Sequence, residues 1–83
     1  MLRPEVVEWI KNPRLSETDV WVLCFSPRGC LIGLAVHGFT FEEQVAIAIA
    51  LYKKYGREMD PVRRGYLRRE VLARRRLLRK SAA

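Results

Sequence analysis

No run of apolar residues in this chain approaches the roughly 18 to 20 needed to cross a bilayer as one helix. The opening MLRPEVVEWIKNP lacks the long apolar stretch of a secretion signal. Cysteine is scarce: Cys24 and Cys30 are too few to staple a disulfide scaffold. These absences lead to the expectation of an intracellular, cytoplasmic protein without a membrane partner. The sole histidine, His37, has no serine or carboxylate placed to form a catalytic pair, and there is no glycine-rich phosphate loop. Cys24, Cys30 and His37 follow one another at spacings of six and seven, without the short paired spacing of a structural zinc site and without a fourth ligand. Neither enzymatic activity nor a metal or other cofactor is expected, and the two cysteines read as buried free thiols.

What the chain has in excess is arginine, and it has it at one end. Among 83 residues with a net charge of +7 there are 12 Arg and 4 Lys. Residues 1–56 carry 6 basic against 6 acidic side chains, and residues 57–83 carry 10 against 3. One small domain is expected over 1–83, with a neutral core in 1–56 and a basic segment in 57–83. Charge segregated in this way calls for an anionic partner.

Along the chain, Pro4, the acids Glu5 and Glu8, and the stop at Asn12-Pro13 predict a short helix over residues 4–11. The two apolar runs of VWVLCFSPRGCLIGLAV are rich in β-branched and aromatic residues and are separated by Ser26-Pro27-Arg28-Gly29, which predicts a β-hairpin. Pairing Phe25 with Cys30 would put Trp21, Leu23, Phe25, Cys30, Ile32, Leu34 and Val36 on a core-facing side. Thr40 with Glu43 three residues later forms a capping box for a central apolar helix over 41–55, in which Glu42 and Glu43 are helix-start residues. Asp60-Pro61 starts a last helix over 61–80. The fold class expected is therefore α+β: N-terminal helix, β-hairpin, central helix laid on the hairpin, and a C-terminal basic amphipathic helix.

Projected at about 100° per residue from Val62, the last helix sorts its charges. Arg64, Arg68, Arg75 and Arg79 fall at about 200° to 260°, and Arg69 and Arg76 at about 320° to 340°. Val62, Tyr66, Leu67, Val71, Ala73, Leu77 and Leu78 occupy the other half as two narrow stripes, with Glu70 spaced to pair with Arg74. Guanidinium grips phosphate through a planar fork where ammonium acts as a point charge. The candidate phosphate-binding residues are Arg64, Arg68, Arg69, Arg75, Arg76, Arg79 and Lys80, extended by Lys54 and Arg57 beside Tyr55. No Asn, Gln, Ser or Thr interrupts this helix before Ser81 to read base edges, which favours structured RNA over sequence-specific DNA.

The function expected is that of a non-enzymatic nucleic-acid-binding module, RNA before DNA, as in a ribosomal or other ribonucleoprotein component. The alternative is a small viral or cellular regulatory protein that docks its basic helix on an acidic protein surface. A homodimer through the hairpin or the central helix is open to it, because a two-stranded sheet is marginal alone.

Overall fold

Pro4 fixes the backbone of a first helical turn, and α1 runs Pro4–Lys11 as its sequence predicts. The structure, a computed structural model, describes residues 1–82, so the end of the expected domain, Ala83, lies outside the described residues. Beyond α1 the expectation fails over twenty residues. The segment read as a β-hairpin is two helices, α2 (Glu17–Phe25) and α3 (Pro27–Val36), and no strand occurs among the described residues. The fold is all-helical, not α+β.

The reason lies in two serines. The Ser16 hydroxyl accepts the Asp19 backbone N–H at 3.1 Å and starts α2, whose acids Glu17 and Asp19 sit at the positive end of the helix dipole. Ser26 closes α2 by donating its N–H to the Val22 carbonyl at 2.7 Å, and opens α3 by accepting the Gly29 N–H at 3.3 Å. Pro27 follows as the first residue of α3, where its missing N–H costs nothing. Ser26-Pro27 is therefore a helix-to-helix joint at which the chain bends by 114°. The hairpin register goes with it. Leu23 is buried, but Trp21, Phe25, Ile32 and Val36 of the supposed core face are exposed, and Leu31 of the opposite face is buried.

Gly38, with φ +84°, makes the left-handed turn that leads into α4 (Phe41–Tyr55). The predicted capping box is formed: Thr40 Oγ1 accepts the Glu43 N–H at 3.1 Å, and Glu43 Oε1 accepts the Thr40 N–H at 3.0 Å. Gly56 does not turn left-handed but begins a single 3-10 turn, Gly56–Glu58. Asp60 then accepts the Arg63 N–H at 3.0 Å and caps α5, Pro61–Ala82.

α4 is central, packed at once against α1, α3 and α5 rather than laid on a sheet. Its Ile47, Ala48, Leu51 and Tyr55 meet Val6, Leu23, Leu31, Met59, Leu67 and Val71 in one core. Full burial of a leucine such as Leu23 or Leu67 is worth roughly 1.5–3 kcal/mol. Polar ties reinforce the apolar contact. Arg3 donates its backbone N–H and its Nε to Glu43 Oε2, at 3.0 and 2.8 Å. The Leu15 N–H donates to the Tyr55 hydroxyl at 3.2 Å, and Lys54 Nζ donates to the Pro13 carbonyl. The molecule measures 35 × 25 × 22 Å. At about 1.5 Å per residue α5 is about 33 Å long, a match to the longest of these dimensions.

Candidate nucleic-acid interface

Of the two apolar stripes on α5, one is used by the fold. Leu67 and Val71 are buried and Leu78 is half-buried, all on the side that meets α4. The second stripe stays in water: Val62 is 79% exposed and Leu77 54%. Arg64, Arg68, Arg69, Arg75, Arg76, Arg79 and Lys80 are exposed; Arg64, Arg68, Arg75 and Arg79 flank the buried stripe, and Arg69, Arg76 and Lys80 lie further round the helix. Fifteen residues separate Arg64 from Arg79, about 22 Å of helix, enough to meet several successive phosphates.

Asp60 at the start of α5 and Glu70 within it are already engaged, and with other arginines. Glu70 Oε1 accepts Arg74 Nη1 at 2.9 Å, the one-turn pair that the spacing predicts. Asp60 Oδ2 accepts Arg63 Nη1 at 2.7 Å, while Arg63 Nε donates to the Phe25 carbonyl at 2.7 Å and its guanidinium lies over the Phe25 ring. Arg63 therefore fastens the start of α5 to the α2–α3 joint. Its backbone N–H first, and then its guanidinium, hold the Asp60 carboxyl below the usual carboxylate range.

The seven exposed cations make no ion pair with an acid among the described residues. Arg64 and Arg68, Arg75 and Arg79, and Arg76 and Lys80 are like-charged neighbours one turn apart. Each such pair is destabilising by roughly 0.2–0.5 kcal/mol, and the separation lies within the Debye length of about 8 Å at physiological salt. The fold keeps this repulsion in place, and an anion laid along the face relieves it. Arg75 and Arg79 also border a shallow groove floored by Leu78 and Val45, with Glu42 on its other wall.

The extension toward α4 is only partly assembled. Arg57 is exposed, and Lys54, also exposed, is held by the Pro13 carbonyl with its ammonium 5.5 Å from the Tyr55 ring. Tyr55 itself is buried and its hydroxyl is taken by Leu15, so it offers no ring to a base. Sequence reasoning missed the exposed ring pair, Trp21 stacked on Phe25 at 5.1 Å, because a hairpin register hid it in the core.

The remaining candidates offer little chemistry. Cys24 and Cys30 are free and half-buried, and burial is the main cause that pushes both thiols up. No group of three His, Cys, Asp or Glu side chains among the described residues could hold a metal ion. An apolar cleft of about 290 Å³ is lined by α1, α3 and α4, including Val6, Trp9, Leu34, Phe39 and Ile47, and takes no residue from α5. Among the described residues no single helix is long and apolar enough to cross a membrane.

Among the described residues, fold and surface together describe five α-helices and one arginine side unbalanced by acids. No protein family matches this chain, and no characterised protein or solved structure is detectably similar to it.

Proposed function

We propose that the protein is a non-enzymatic nucleic-acid-binding module of the cytoplasm that holds structured RNA, in preference to DNA, through the phosphates it lays along α5. The observation that carries this reading is the sorting of arginines. Those that meet an acid, Arg3, Arg63 and Arg74, build the fold, whereas the seven exposed cations of α5 meet none among the described residues. Guanidinium forks at one-turn spacing suit a phosphate backbone, and the lack of amide or hydroxyl side chains between them suits reading of shape over sequence. An acidic protein surface is the competing partner, and the exposed stripe of Val62 and Leu77 beside the arginines is what favours it.

The test is a salt titration of affinity for a hairpin RNA. Affinity should fall linearly on a log-log scale, and the triple change Arg68→Ala, Arg75→Ala, Arg79→Ala should flatten the slope by about two to three units. Helicity should stay unchanged, since all three side chains stand in water. An unaltered slope removes α5 from the interface. A partner retained from cell extract after nuclease treatment, and lost in the triple variant, would select the acidic protein surface instead.

A further inference from the structure

The most apolar surface of the molecule is not on α5. Trp21 is 64% exposed, Phe25 59%, Ile32 53%, Val36 76% and Val22 39%. All five lie on the outward sides of α2 and α3, and the two rings are already stacked nearly parallel, at an interplanar angle of 4°. Leaving Trp21 and Phe25 this open puts about 200–300 Å² of ring surface into water before the aliphatic side chains are added. A surface of this composition marks an interaction site.

We propose that the outward sides of α2 and α3 dock a second copy of this chain, in a two-fold, antiparallel arrangement. Charge selects that occupant. Residues 17–36 carry only Glu17, Asp19 and Arg28, a net charge of −1 in a chain of +7. None of the three makes an ion pair among the described residues. Glu17 and Asp19 begin α2, and Arg28 stands just beyond its other end, about 13 Å or more along the helix. Glu17 shares the Trp21 and Phe25 side of α2, and Arg28 the Ile32 and Val36 side of α3, so antiparallel docking sets Arg28 of each copy against Glu17 of the other, and two-fold symmetry makes the match twice. Arg63 of α5, which lies over the Phe25 ring, borders this surface but is paired with Asp60, and the exposed cations from Arg64 onward, where two copies would repel one another, are not needed for the contact.

Two other occupants fit less well. A phosphate chain or an anionic lipid would meet the carboxylate of Glu17 beside the apolar side chains. α2 and α3 together are apolar enough for a membrane segment, but the 114° bend between them breaks the span. Glycine agrees with a close partner. Gly29 is explained within the monomer, where a Cβ would meet Ser26 Oγ at 2.9 Å, but a Cβ built at Gly33 would meet nothing within 4 Å, so nothing inside the monomer requires glycine there. The proposal does not depend on nucleic-acid binding.

Sedimentation velocity on the full chain across the micromolar range tests it. The expected species has twice the 9.7 kDa mass of one chain. The double change Ile32→Glu, Val36→Glu should weaken self-association by at least about tenfold, because it buries like charges in the contact. Arg28→Glu should weaken it as well, and adding Glu17→Arg to that variant should restore it. Circular dichroism of the dilute protein should be the same for all variants, and if the double glutamate variant loses helicity, Trp21→Ala carries the same expectation. A one-chain mass throughout the range overturns the proposal. So does a dimer that persists in these variants, or a wild-type chain that stays monomeric while a phosphatidylcholine vesicle shifts its tryptophan emission.

Discussion

Glu43 does more for this protein than its place near the start of α4 foretells. Its carboxylate closes the capping box with Thr40 and receives both the backbone N–H and the Nε of Arg3, while its side chain is fully buried. The guanidinium bond of Arg3, followed by the backbone bonds from Thr40 and Arg3, brings its pKa from 4.5 down to about 2. The sign follows from linkage. A carboxyl whose folded pKa is depressed contributes stability that is fully present above its unfolded value and is lost as the pH falls toward the folded one. Melting temperature should therefore drop between pH 4.5 and about 2. Glu43→Gln should lower the melting temperature at neutral pH and flatten this acid limb; an acid limb as steep as that of the wild type would detach Glu43 from it. The capping box was legible in the sequence, but Arg3, forty residues away, was not.

At the scale of the element, α2 and α3 show how composition misleads. Val20, Val22, Ile32 and Val36 have the branched side chains that suit a pleated surface, yet neither segment had to become a strand. Ser16 with Asp19, and Ser26 with Pro27, are local helix starts as sound as Thr40 with Glu43, but Pro-Arg-Gly suits a turn equally well and so hides them. Burial of only Leu23 on α2, and of Pro27 and Leu31 on α3, then anchors both helices and leaves the branched residues largely outside. Ser26→Ala keeps the backbone bond that closes α2 but removes the hydroxyl that caps α3, so it should cost about 1 kcal/mol, a fall in melting temperature of roughly 4–8 °C for a domain of this size. A scanning calorimetry shift near zero would show that Pro27 alone sets the joint. The helices 4–11, 41–55 and 61–80 were legible because each carries a cap or a proline at its start. The sorting of arginines on α5 and the Glu70–Arg74 pair follow from period alone. Which apolar stripe meets the core does not, since only α4 decides between Leu67 with Val71 and Val62 with Leu77.

Considered whole, the molecule is tied together across long stretches of chain. The bonds from Arg3 to Glu43, Leu15 to Tyr55 and Lys54 to Pro13 each join positions 40 or 41 residues apart. They pin the first fifteen residues along α4, and the chain between, α2 and α3, is a closed excursion with both feet fixed. An excursion of this kind can lift off and settle again at little entropic cost, because its ends never separate. Hydrogen exchange should report it as a unit of its own. Amides of α2, whose Leu23 is its only buried side chain, should open at a lower free energy than those of α4. A single opening free energy shared by α2 and α4 would contradict this. The frame of α1, α4 and α5 would thus outlast its own apolar flap, breathing on a clock separate from that of global unfolding.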